Sequence, residues 1–316
     1  MENDCGGKMT FRRKIAIFGW IVLSVSALGQ SPSDPLSSAR SLAEAGAFTK
    51  AEDSVRIYLG SNPASADAHF LLGYVLFRER KAKESLAEFT AGAKYRNPRA
   101  DELMTVASDY VLLGDYVDAD KWFSEVTKER PDDPEAWYLL GRTEYNESDY
   151  RKAILSFQHA LALRPHYVEA ENNRGLCWVD LNENEKAKAA FHDAIAWQGD
   201  QPTDAQPFLN LGTLLADASE FKDSIPYLTK ALSLSPDNPR VHEELAHVYE
   251  ATNDLPKAQS ELEQAIAQAP KSSALHFKLA RVYRREGLQD RAKRELELCE
   301  KLNGTQSSID TPNPPK

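Results

Sequence analysis

The chain has 316 residues, 42% of them hydrophobic and 27% charged, with a formal net charge of −10. That balance excludes wholesale disorder, and the acidity argues against nucleic-acid binding by bulk electrostatics. Three cysteines and 15 glycines exclude a disulfide-built scaffold, and the chain has no CxxC zinc pair or Gly-rich phosphate loop.

The first element is an address. Residues 8–14, KMTFRRK, are basic, and IAIFGWIVLSVSALG (15–29) carries no charge and ends in Ala27-Leu28-Gly29. A basic stretch, a short apolar run and a small-x-small end predict a secretory signal peptide over 1–29, cleaved near Gly29. The alternative is a retained anchor, although fifteen apolar residues fall short of the ~20 that span a bilayer. No lipobox cysteine follows, and Met9 is an alternative start. The expected location is periplasmic or secreted, or inner-membrane anchored if 15–29 is retained.

The rest of the chain repeats itself. Residues 134–167 carry Trp137, Leu140, Gly141, Tyr145, Ala153, Phe157, Ala160 and Pro165. A step of 34 residues forward reaches Gly175, Ala187, Phe191 and Ala194, and a step back reaches Ala107, Tyr110, Gly114, Ala119, Phe123 and Pro131. The same period sets eight copies, 32–65, 66–99, 100–133, 134–167, 168–201, 205–238, 239–272 and 273–306, with three extra residues before the sixth. Each copy holds two apolar stripes at helical spacing joined by a loop-forming turn. Small residues at the eighth, twentieth and twenty-seventh places let two antiparallel helices approach, and a large residue at the twenty-fourth fills the gap beside them. A proline near the end stops the second helix. One pair cannot bury both stripes, so neighbours must stack into a continuous seam. WQGDQPTDAQP (197–207), where the period slips, predicts a longer loop, either a hinge or surface slack. NGTQSSIDTPNPPK (303–316) reads as a disordered polar tail. No further capping helix is expected, the polar face with Lys293, Arg294, Glu297 and Lys301 serving instead.

These residues, W-x2-L-G-x2-Y followed by Ala, Phe, Ala and Pro at set offsets, resemble the tetratricopeptide repeat family. The resemblance implies an all-α solenoid, a right-handed superhelix of eight antiparallel helix pairs. It also implies a non-catalytic protein that binds protein or peptide partners in a concave groove lined by the first helices. The second, fifth, ninth, twelfth and thirteenth places of each copy would face that groove. Carried onto this sequence, they give Phe70, Tyr74, Phe77, Met104, Tyr138, Arg142 and Tyr145, then Asn172, Asp180, Thr213 and Asp217. Further along come Glu243, His247 and Glu250, and finally Phe277, Arg281, Arg284 and Arg285. Asn173 and Asn210 fall at the edge. The residues singled out for partner binding are Phe70, Tyr74, Tyr138, Arg142, Tyr145, Asn172, Asn210, Arg281 and Arg284: aromatics for contact area, amides for an extended backbone, arginines for charge. The Lys/Asn clamp of chaperone-tail-binding relatives is absent from any three consecutive copies.

No other chemistry stands out, and no cofactor, metal or nucleic-acid partner is expected. His242-Glu243-Glu244-Leu245-Ala246-His247 is one residue too long for a zinc helix motif, which turns the two rings about 140° apart. His242, His69 and His276 also occupy the Trp place of their copies, so core packing accounts for them. Cys177 and Cys299 lie three copies apart and are expected as packed free thiols. The expected role is a scaffold or assembly factor in the cell envelope. The alternative is a membrane-anchored subunit of a secretion or polysaccharide-export complex.

Overall fold

The computed structural model describes Asp34 and residues 36–309. The expected leader (1–29) and residues 310–316 of the expected tail lie outside the described residues. The described chain is sixteen helices with no strand. They pair as α1 (Ser37–Glu44) with α2 (Phe48–Ser61), α3 (Ala66–Arg78) with α4 (Ala82–Ala93), α5 (Ala100–Leu113) with α6 (Tyr116–Glu129), and α7 (Pro134–Asn146) with α8 (Tyr150–Leu163). Then come α9 (Val168–Asp180) with α10 (Asn184–Ala196), α11 (Gln206–Asp217) with α12 (Phe221–Leu234), α13 (Pro239–Ala251) with α14 (Leu255–Gln268), and α15 (Ser273–Arg285) with α16 (Gln289–Ile309). Every helix packs on its neighbours in sequence. First helices also touch first helices of the next pair, as α3 does α5, α7 does α9, α9 does α11 and α11 does α13. The result is an all-α solenoid whose first helices share one face.

The interlock inside each pair is the one the period predicts. A Cβ on Gly73, Gly141, Gly175 or Gly212 would sit 2.8, 2.9, 2.5 or 2.7 Å from Phe89, Phe157, Phe191 or Leu228 respectively. Phe123, Phe157 and Phe191 are at most 1% exposed, and Ala51, Ala119, Ala153, Ala187 and Ala258 at the twentieth place are sealed. Cys177 and Cys299 are buried free thiols, and burial pushes the Cys177 thiol up to about 12.

Two regularities hold the pairs in shape. The fifteenth residue of every copy is left-handed: Gly46, Arg80, Gly114, Ser148, Asn182, Ser219, Asn253 and Gly287 all have φ between 59° and 81°. There the chain folds back through a bond such as Lys81 N–H to Leu76 C=O, 2.9 Å, which closes the first helix. Arg80, Ser148 and Ser219 hold that conformation at a steric cost of roughly 1–2 kcal/mol each.

The second regularity lies at the Trp place. The indole Nε1 of Trp137 donates to the Pro131 carbonyl, 3.0 Å. His69, His242 and His276 place Nε2 3.0, 2.9 and 3.2 Å from the carbonyls of Pro63, Pro236 and Pro270. Their Nδ1 atoms lie 2.7, 2.6 and 2.6 Å from Glu88, Glu261 and Glu295. Histidine thus replaces tryptophan as the group that ties one pair to the proline ending the previous one.

One expectation changes, and one loop gains detail. α16 continues to Ile309, so residues 303–309 are helical, where the polar composition predicted the start of a tail. The slipped loop carries a side-chain clasp that the composition did not announce. Gln198 Oε1 accepts from the N–H groups of Thr203 (3.1 Å) and Asp204 (2.9 Å), and Gln198 Nε2 donates to the Asp204 carbonyl, 3.2 Å. One side chain clasps both ends of the insertion.

Candidate functional site

The face formed by the first helices is the candidate partner groove. Its rim is set by a repeated ion pair. The arginine that ends one helix pair reaches back to the acid opening that pair's first helix: Arg96 to Asp67 (2.8 Å), Arg130 to Asp101, and Arg164 to Glu135 (3.7 Å). In the fifth copy the corresponding place holds Gln198, which is spent on the loop clasp. Glu169, the acid that opens α9, therefore has no cation within ion-pair distance among the described residues.

Beside Glu169 lies a cavity of about 470 Å³ between α7, the α8–α9 connection and the clasped loop, with Tyr138, Arg142, Glu169, Gln198 and the paired Glu135 and Arg164 among its walls. That volume falls in the range of small-ligand pockets, roughly 300–1,000 Å³. Tyr138 packs on Phe157 and on Tyr167, with ring centroids 6.0 and 5.0 Å apart, and burial raises the pKa of its phenol. Its hydroxyl accepts from Asn173 Nδ2, 3.2 Å, which leaves its own proton unspent. The Arg142 guanidinium lies over the Tyr138 ring, 5.6 Å from the centroid. No carboxylate lies within ion-pair distance of it among the described residues. Tyr167 donates to Glu135, 2.7 Å, so Glu135 is bonded where Glu169 is not.

The structure sorts the residues singled out from sequence. It brings Tyr138 and Arg142 together at this cavity. Tyr145 is half-buried and donates across copies to Asp180, 2.8 Å. Tyr74 is half-buried and accepts from Arg78, 2.6 Å, whose guanidinium also lies 4.7 Å from the Phe48 ring centroid. Phe70 is not part of the lining. It is 3% exposed and fills the space over Gly92, stacked on Phe89 at 5.8 Å. Asn172 and Asn210 are also withdrawn, each 4% exposed, because they bond to each other, Asn210 Nδ2 to Asn172 Oδ1, 2.8 Å. They tie α9 to α11 instead of presenting amides to the groove.

Arg281 is occupied, donating to Glu250 at 2.5 Å, and Arg285 joins the same carboxylate at 3.3 Å. Arg284 is exposed and has no such partner among the described residues, and Phe277 beside this cluster is 40% exposed. His242 and His247 are apart in role: the first is bonded to Glu261 and Pro236, while the second meets Phe221 edge-on at 6.4 Å. The described residues hold no group of three or more metal-ligating side chains.

Sequence reasoning missed Glu169 and Gln198. The signal was present: a glutamine stands where three earlier copies carry arginine, immediately before the period slips.

Models of the tetratricopeptide repeat match residues 36–100, 134–167 and 215–274. Over 102 residues the chain is 29% identical to the peroxisomal targeting signal receptor of Saccharomyces cerevisiae, covering 32% of this chain and 16% of the receptor. Over 154 residues it is 25% identical to the CTR9 homolog of Arabidopsis thaliana, covering 48% of this chain and 14% of that protein. The chain thus spans less than a fifth of the length of these relatives. Among solved structures, a tetratricopeptide repeat protein from Parabacteroides merdae superposes with a TM-score of 0.64 at 17% identity, covering 86% of this chain and 100% of that one. The type IV pilus biogenesis factor PilW superposes with a TM-score of 0.55 at 21% identity, covering 66% and 92%. These two likenesses concern the fold.

Proposed function

The chain belongs to the tetratricopeptide repeat family, whose members generally mediate protein–protein interaction as scaffolds, and from that premise we propose that it binds an extended segment of a partner protein along the face of its first helices. The observation that carries this reading is the cavity at Tyr138 and Arg142. It lies beside α7 and the start of α9, and two of its charged groups, Arg142 and Glu169, make no ion pair among the described residues, whereas the acids equivalent to Glu169 in three earlier copies are paired. The yeast relative, by its name, receives a targeting signal, which is consistent with peptide capture. We assign no reaction to the chain; its role is scaffolding.

Replacing Tyr138 with alanine is expected to weaken partner capture about tenfold, the scale of a contact worth ~1.4 kcal/mol. Replacing Leu155, 58% exposed on α8, is expected to leave capture unchanged. A thermal melt of each variant, with Tyr138→Phe as the ring-preserving companion, separates binding from folding. Capture that survives Tyr138→Ala in a folded protein, yet falls with Leu155→Ala, contradicts the groove.

Residues 8–29 support export to the periplasm or beyond as the setting, in the role of an envelope scaffold. N-terminal sequencing after cell fractionation is expected to find a mature start near Gln30. A chain starting at Met1 or Met9 in the membrane pellet would instead support the anchored subunit of a secretion or polysaccharide-export complex. No helix of the described residues is long and apolar enough to cross a membrane, and residues 15–29 lie outside them.

A further inference from the structure

The geometry points to a two-charge subsite at the junction of the fourth and fifth helix pairs, which reads a partner segment carrying one acidic and one basic side chain close together. This deepens the groove reading and rests on it. Four acids open first helices at the same place in successive copies, Asp67, Asp101, Glu135 and Glu169. The first three are neutralised from within, by Arg96, Arg130 and Arg164. Among the described residues only the fourth makes no ion pair, Gln198 holding the inserted loop where an arginine would stand. The insertion therefore does two things at once. It raises a wall beside the groove, and it releases the Glu169 carboxylate to face the cavity that this wall helps enclose.

On the same cavity Arg142 has no carboxylate within ion-pair distance among the described residues. Arg142 lies over the Tyr138 ring and Glu169 lines the same cavity, and the two make no ion pair with each other among the described residues; the arginine favours the ionised phenol, while Glu169 and Glu135 oppose it. An unpaired guanidinium has five N–H donors in a planar fork suited to a carboxylate. The Tyr138 O–H adds a sixth donor, its oxygen already accepting from Asn173. Glu169 offers its carboxylate oxygens to an ammonium or guanidinium. Either charge alone would attract many segments; the two together, fixed on α7 and α9, select for order and spacing. Reversing either charge should then change which peptides bind, since a like charge set opposite the partner's is penalised.

The test displays random decapeptides to the purified full chain and sequences what is retained by the wild type, Arg142→Glu and Glu169→Lys. Neither side chain makes an ion pair among the described residues, and a thermal melt of each variant checks that it folds. Wild-type peptides are expected to be enriched at least tenfold for an acidic residue within a few positions of a basic one. Arg142→Glu should lose the acidic preference and keep the basic one, and Glu169→Lys should do the reverse. Retained peptides with no charge pattern, or with a pattern that neither variant alters, would overturn the subsite while leaving the groove reading in place. No retained peptides from any of the three proteins would overturn both.

Discussion

Phe191→Ala is expected to destabilise the solenoid by about 3–5 kcal/mol, the usual cost of emptying a large aromatic site in a core. Phe191 is fully buried and lies in the space opened by Gly175, where a Cβ would stand 2.5 Å from its ring. Each pair contacts only its neighbours in such a stack, so the lost packing has no distant core to absorb it. Gly175→Ala attacks the same contact from the other side and is expected to cost about 1–3 kcal/mol through overpacking. The two sites touch, so Gly175→Ala combined with Phe191→Leu should cost less than the sum of the single changes. Urea unfolding followed by circular dichroism measures the wild type, Phe191→Ala, Gly175→Ala, Phe191→Leu and the double variant. A loss under about 1 kcal/mol for Phe191→Ala, or strict additivity, would show that this interlock does not hold the fifth pair together.

Stability should also fall as pH rises from 5.5 to 8.5. Asp109 is fully buried and accepts one hydrogen bond, from Ser85 Oγ at 2.5 Å, while its Oδ1 has no partner. Burial holds its pKa at about 7 against an ordinary 3.8. Glu144, 5% exposed and bonded to Ser156 at 2.6 Å, is likewise pushed up to about 7. A carboxyl with a raised folded pKa binds its proton more tightly in the folded chain than in the unfolded one. Its contribution is complete below the unfolded pKa near 4 and is lost as pH climbs through about 7.

Each group amounts to a few kcal/mol at most, at about 1.4 kcal/mol per unit. Glu52 has the opposite sign, held at about 2 by Lys81 and then Arg56. Its contribution is lost only as pH falls from above 4 toward 2, outside this window. Asp109→Asn removes one titration, so it should raise stability at pH 8.5 by about 1–3 kcal/mol and flatten the profile. Stability that is level or rising between pH 5.5 and 8.5 would mean that these carboxyls stay charged in the folded chain.

Much of this architecture is written locally, and that part was legible. A glycine at the eighth place and an aromatic at the twenty-fourth are brought together by helix geometry alone, so Gly175 and Phe191 could be paired on paper. The left-handed fifteenth residue was half legible. Glycine or asparagine fills it in five copies, but Arg80, Ser148 and Ser219 hide the pattern because a rigid turn can impose a conformation that the residue disfavours. What depends on the neighbouring pair was not legible. Phe70 sits at a groove place yet is drawn inward by the gap over Gly92. Asn172 and Asn210 sit at or beside groove places yet find each other across α9 and α11. The histidines announced themselves as replacements for tryptophan, but their glutamate partners, nineteen residues on, became visible only with the fold.

The central claim is that the face of the first helices is the binding surface. Site-specific photocrosslinking tests it most directly, with a photoreactive residue placed in turn at Tyr74, Arg142 and Phe277 on that face and at Ile57 and Leu155 on the second helices, 77% and 58% exposed. The account predicts that one partner protein crosslinks from the first-helix positions and not from Ile57 or Leu155. Crosslinks to a partner from Ile57 and Leu155, with none from the first helices, would place the binding surface on the opposite side of the solenoid.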